Sequence, residues 1–212
     1  MKNILIVGAH PDDIDFGAGG LSSLSAKMNA GFSVSWLVMT RGEAGGDPKT
    51  RVKEQERSAK LCGVDISERS YQFQDTRLAE AGVRLIDVIE QAISDIEVVD
   101  LFLPFPEDIH QDHRALSVAG LVAGRWTDSI FFYESFRTGS EFSPTIFLVL
   151  SDKDVENKGA MLNCHKSQLK PVGSFDDIIA ASKATARFRG RQAGAENAEA
   201  YRPFRMTRRV WT

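Results

Sequence analysis

NILIVGAHPDDIDFGAGG, residues 3 to 20, decides the fold. The apolar run from Asn3 to Val7 reads as a buried strand. The glycines after it let the chain turn into a helix expected from about Gly17 to Ala30. Strand, glycine-rich turn and helix open a parallel α/β sheet, where such a turn commonly cradles a phosphate. Here neither GxGxxG nor GxxxxGK[ST] is present, and His10, Asp12, Asp13 and Asp15 crowd the turn. Carboxylates repel a phosphate and attract a cation, so the stretch reads as a metal turn on a nucleotide-type scaffold.

The same alternation continues outward. A strand is expected at Phe32 to Met39, then the loop TRGEAGGDP and a helix from about Thr50 to Cys62, closed by Gly63. A short strand near Tyr71 and Phe73 follows, then a helix from about Glu80 to Ile96 and a strand from Val98 to Pro104. The loop PFPEDIHQDH leads to a helix from His113 to Trp126. Strands at Ser129 to Tyr133 and Thr145 to Leu150, helices at Asp152 to His165 and Asp176 to Gly194, and an irregular tail complete the reading. No repeat or linker interrupts it. The expectation is one doubly wound α/β domain over residues 1–212, its sheet mostly parallel and flanked by helices.

A formal net charge of −3 gives no reason to expect nucleic-acid or anionic-membrane binding, and no apolar run is long enough to span a bilayer. The N-terminus lacks a small-residue cleavage site after its apolar run and reads as a first strand. Cys62 and Cys164 have no CxxC spacing and read as free thiols in a reducing compartment, which places the chain in the cytoplasm.

Ligands of such sheets bind at the carboxyl ends of the strands. Three polar loops leave those ends, Gly8 to Gly20, Thr40 to Lys49 and Pro104 to His113, and they hold three of the four histidines. His10 and Asp13 are close enough in a turn to share an ion, and HQDH (110–113) offers a third ligand. Two imidazoles and a carboxylate leave a coordination position open, as in catalytic zinc sites, where bound water acquires a pKa of roughly 7. Asp12 adjoins the ligands and can act as general base. His110 is left to protonate a leaving amine or stabilise an oxyanion, with Asp112 orienting an imidazole. Each residue also has a plain structural reading: Asp12 or Asp13 as a helix cap, Asp112 and Arg114 as first-turn charges, the glycines as packing contacts. The combination favours the metal.

From Lys183 onward eight basic residues face Glu196 and Glu199. They read as a solvated face or subunit contact in preference to a handle for an anionic substrate. Trp36, Phe131, Phe132 and Phe147 read as core, while Trp126, Tyr133, Phe136 and Tyr201 are candidates for stacking on a sugar ring.

AHPDDIDFGAGG, TRGEAGG, PEDIHQDHRAL and YESFRTGSEFSPTIF, with HKSQL (165–169) and GRQAGAENAEAY (190–201), resemble the PIG-L/LmbE-like family of metal-dependent de-N-acetylases over nearly the whole chain. The resemblance implies a Rossmann-like domain that removes an N-acetyl group from an amino sugar, usually with zinc. It implies His10, Asp13 and His113 as metal ligands, Asp12 as general base, and His110 beside the tetrahedral intermediate with Asp112 as its partner. Arg51, or in its place Arg41 or Arg114, would contact substrate. Asp15 stands where many relatives have glutamate. A homo-oligomer is also implied, and the ion could be zinc, ferrous iron or another divalent metal. Two other readings compete: a non-haem iron oxygenase using HxD…H on a double-stranded β-helix, and a non-catalytic sugar- or nucleotide-binding module.

Overall fold

The structure, a computed structural model, describes residues 2–26, 31–136, 138–169 and 177–207. Its centre is a seven-stranded sheet of β1 (Lys2–Gly8), β2 (Phe32–Val38), β3 (Asp65–Ile66), β4 (Asp100–Pro104), β5 (Ser129–Tyr133), β6 (Ile146–Leu150) and β7 (Asn197–Met206). The spatial order is β3-β2-β1-β4-β5-β7-β6. The first five strands pair in parallel, and β7 runs antiparallel between β5 and β6. This is the mostly parallel α/β sheet expected, and it is not the double-stranded β-helix that an oxygenase reading requires.

Alternation along the strands divides the core into two layers. Leu5, Val7, Leu37, Leu101 and Leu103 face α4 (Val83–Asp95) and α5 (Gln111–Ala123) through Leu85, Ile89 and Leu116. Ile4, Ile6, Trp36 and Phe102 face α1 (Asp13–Ser25), α2 (Pro48–Cys62) and α6 (Asp152–Leu162) through Ile14, Ala59 and Met161. Because both faces are covered, β1, β4 and the second half of β2 read as continuous apolar runs.

Several boundaries differ from expectation. α1 begins at Asp13, four residues early, so the glycines lie inside it. Gly17 lies against the Tyr133 ring so closely that a Cβ would come within 2.1 Å of it. The expected end of this helix (27–30) and Asp176 lie outside the described residues. The helix expected at Glu80 to Ile96 is broken by Gly82 (φ 54°) into α3 (Leu78–Ala81) and α4. Tyr71 and Phe73 are not in the short third strand; Phe73 makes only an isolated bridge to Thr40. The last helix is α7 (Ile178–Ala193), and the tail after it is strand β7.

β7 accounts for much of the basic cluster. Arg205 donates to the carbonyls of Gly124 and Thr127, and Arg202 lies 5.3 Å over the Phe105 ring. On α7, Arg189 is bidentate to Glu134 and Arg187 pairs with Glu196. Arg208 and Arg209 lie outside the described residues. Glu199 of β7 reaches across to α1, which is kinked at Ala18 (φ −144°, ψ 24°). Its carboxylate accepts the N–H groups of Gly20 (2.6 Å) and Leu21 (2.9 Å), the Lys158 ammonium (2.7 Å) and the Tyr201 hydroxyl (2.7 Å). Donors freed by the kink are thus satisfied from another strand.

Candidate active site

Strand order reverses between β1 and β4, and the loops after these two strands open at that point. The β1 loop carries His10, Asp12 and Asp13, and the β4 loop runs into α5 with His110, Asp112 and His113. Asp12 precedes α1 with φ 95° and ψ −24°, a left-handed conformation that Asp tolerates better than most residues. Such a residue costs roughly 1–3 kcal/mol and persists only where its surroundings hold it. Here Gln55 Oε1 accepts its N–H at 2.8 Å, while Arg51 Nη2 reaches the Pro11 carbonyl (2.9 Å) and the Asp12 carboxylate (3.3 Å).

Asp13 Oδ2 lies 3.3 Å from His10 Nδ1 and 3.1 Å from His113 Nε2. With metal–ligand bonds of about 2.0–2.1 Å, the edge of a tetrahedral site is about 3.3–3.4 Å, so this spacing suits a shared divalent ion. His113 is buried, and neither of its ring nitrogens makes a well-directed hydrogen bond. His110 joins the cluster: donor atoms of His10, His110 and His113 all lie within 4.8 Å of one another. A His/Asp set able to hold a metal is therefore present.

Carboxylates surround this set. Asp108 Oδ2 is 3.1 Å from His113 Nδ1, and Asp75 Oδ1 is 2.9 Å from His10 Nε2. Asp112, expected to partner His110, sends its carboxylate elsewhere. It lies 3.3 Å from His10 Nε2 and accepts the N–H groups of Thr76 (2.7 Å) and Leu78 (3.2 Å). Only its backbone N–H meets His110, at Nδ1 (3.2 Å), because His110 caps α5. Sequence reasoning does not single out Asp75, Asp108 or Gln55. All three are buried, but each stands in a polar stretch of sequence, so nothing local marks it out.

The field of these groups favours a cation. Burial alone would lower the pKa of His10, but Asp112, Asp13 and Asp75 outweigh it and raise the value well above the ordinary one. His113 rises to about 9: burial opposes the rise, and Asp13 and Asp108 cause it. Asp13 lies well below the carboxylate range, since His113 and His10 overcome its burial. Asp12 behaves differently. Burial pushes it up to about 6, against the pull of Arg51 and His165. His110 is lowered by burial and by repulsion from His10 and His113, so its imidazole stays neutral.

A cavity of about 290 Å³ opens over His10, Asp12, Arg51, Asp75 and His110, with Ala44 and Gly45 on the glycine loop side. Arg51 is buried there, its Nη1 on the Gly42 carbonyl (2.6 Å). A Cβ at Gly42 (φ 67°) would meet that guanidinium at 2.2 Å. Arg41 is exposed. Arg114 bonds the carbonyls of Asp108 and Ile109 and lines a separate apolar groove between α3, α4 and α5. Two stacking candidates are core residues: Tyr133 donates to the Val7 carbonyl, and Tyr201 to Glu199. Trp126 is 85 % exposed but borders another groove, with Glu90 and Ile93, and Phe136 packs edge-on against Phe16.

Comparison with known proteins agrees with this geometry. The sequence profile of PIG-L, described as GlcNAc-PI de-N-acetylase, matches residues 5–123, more than half of the chain. An uncharacterized deacetylase, YaiS, of Escherichia coli (strain K12) is 36% identical over 172 residues, covering 78% of this chain and 91% of its own. A diacetylchitobiose deacetylase of Thermococcus kodakarensis is 28% identical, covering 95% of this chain and 83% of its own. Among solved structures, the conserved protein TT1542 of Thermus thermophilus superposes with a TM-score of 0.82 at 27% identity, covering 100% of this chain and 99% of that one. Profile, relatives and fold together place this chain in the PIG-L family as a hydrolytic N-deacetylase.

Proposed function

We propose that the protein is a zinc-dependent hydrolase that removes the N-acetyl group of an N-acetylglucosamine-type amino-sugar conjugate and releases acetate. The observation that carries this reading is the convergence of His10 Nδ1 and His113 Nε2 on Asp13 Oδ2, with the Asp12 carboxylate beside them in the same turn. His10, Asp13 and His113 would hold the ion, and zinc and ferrous iron both suit nitrogen and carboxylate donors. When bound, the ion supplies Lewis acidity, polarising the acetamide carbonyl and acidifying water.

The chain's own residues do the rest. Asp12, with a pKa of about 6, accepts the proton of the attacking water and passes it to the amine as the C–N bond breaks. His110 accepts the Asp112 N–H at Nδ1, so its remaining proton sits on Nε2, available to an oxyanion at the cavity wall. Asp108 and Asp112 orient the imidazoles of His113 and His10. Arg51 fixes Asp12 and borders the cavity, which leaves it the best placed of the three arginines to meet substrate. The polar cavity suits a single sugar ring, a small-molecule substrate that calls for neither nucleic acid nor membrane.

The test is a panel of N-acetylated sugars assayed for free amine, run alongside metal analysis of the purified protein. Release of acetate from at least one sugar, lost with chelator and restored by a divalent ion, supports the reading. Oxygen uptake without amine release, or sugar binding without turnover, overturns it.

A further inference from the structure

Asp15 and Gln55 lie outside the chemistry described above, yet both are fully buried in its support. Gln55, on α2, uses both ends of its amide. Its Oε1 accepts the Asp12 N–H at 2.8 Å, and its Nε2 donates to Asp15 Oδ2 at 2.9 Å. An amide can rotate by half a turn and exchange these ends, so something must fix which end meets Asp12. Asp15 does so. An ionised carboxylate only accepts, and this one also takes the Ser58 hydroxyl on Oδ1 and stands 3.3 Å from His165 Nε2 through Oδ2. With Nε2 committed to Asp15, only Oε1 can face Asp12. Asp12 in turn needs an acceptor for its N–H in order to hold its left-handed backbone, which aims its carboxylate beside the cluster.

We propose that Asp15 and Gln55 form a positioning relay that holds the Asp12 backbone in its left-handed conformation, with the charge of Asp15 dictating the orientation of the Gln55 amide. The inference rests on the reading of Asp12 as general base. Two variants of nearly native volume break the relay at different points. Gln55→Met removes the acceptor. Asp15→Asn keeps the shape but lets the Gln55 amide turn and present a donor to the Asp12 N–H.

The protein is compared with both variants and the double variant by amide hydrogen exchange at Asp12, which needs no substrate, and by kcat and KM on an N-acetylated sugar. The expected result is at least tenfold faster exchange at Asp12 in each single variant. A tenfold or greater loss of kcat should accompany it, with KM within twofold and metal content unchanged. The double variant should be no worse than Gln55→Met alone, because the two residues act in series. Unchanged exchange at Asp12, or additive losses in the double variant, overturns the relay. Asp12→Asn with full turnover would instead remove the base reading, a result separable from the exchange data.

Discussion

Two buried ionic clusters sit on the same helix and behave in opposite ways. Around Glu199, each carboxylate oxygen accepts two donors, and Lys158 is held both by that carboxylate and by the Phe16 ring 5.6 Å away. Nothing there is left to bind. Around Asp13, two imidazoles converge on one oxygen, four carboxylates crowd the rings, and both nitrogens of His113 lack a well-directed hydrogen bond. A saturated cluster fixes structure. A convergent, under-satisfied one stores affinity for a cation.

That contrast can be broken from either side. The largest effect is expected from chelation: activity falls to background and returns with zinc or ferrous iron. The melting temperature should fall with it, because an ion that binds only the folded state stabilises it. Asp12→Asn comes next, with kcat reduced by about 10²–10⁴-fold while metal analysis shows the ion retained. Glu199→Ala attacks the saturated cluster and strands Lys158, which should cost about 3–5 kcal/mol in a denaturant titration. Turnover per folded molecule should survive, and a large kcat loss there would erase the distinction between the clusters.

The smallest effect concerns His165. Burial lowers its pKa, but Asp15 prevails and raises it above the ordinary 6.5. A group with a raised folded value stabilises fully below its unfolded pKa and loses that stabilisation as pH rises through the folded one. Stability measured from pH 6 upward should therefore decline by more in the native protein than in His165→Asn. Equal slopes would mean that His165 titrates alike in the folded and unfolded chain.

Much of the convergent cluster is legible in the sequence because local spacing encodes it. His10, Asp12 and Asp13 are adjacent or nearly so, and HQDH starts a helix, so two short motifs carry six of the groups. Asp75 and Asp108 are not legible, since each meets its histidine only after the sheet assembles. The role of Asp112 differs from expectation for a related reason: sequence proximity favours His110, whereas the helix turns the carboxylate toward His10. Strand β7 reads as irregular tail because Pro203 interrupts EAYRPFRM. The structure accommodates that proline opposite Phe131, where the β5–β7 register shifts, a position at which a missing N–H costs little. Tyr133 and Tyr201 look like sugar platforms on composition alone, and only packing reveals them as core.

The insertion of β7 has a consequence for the order of folding. β1 and β2 bring together residues 30 positions apart, as in the Ser33–Asn3 bond, whereas Glu199 and Gly20 are separated by 179. Closing the longer loop costs on the order of 1–2 kcal/mol more in chain entropy, and it requires strand β5 to be in place first. The loops after β1 and β4 can thus gather while the kinked helix α1 still lacks the carboxylate that holds its second half. During synthesis, α1 leaves the ribosome well before β7, and its second half waits for a carboxylate 179 residues behind it.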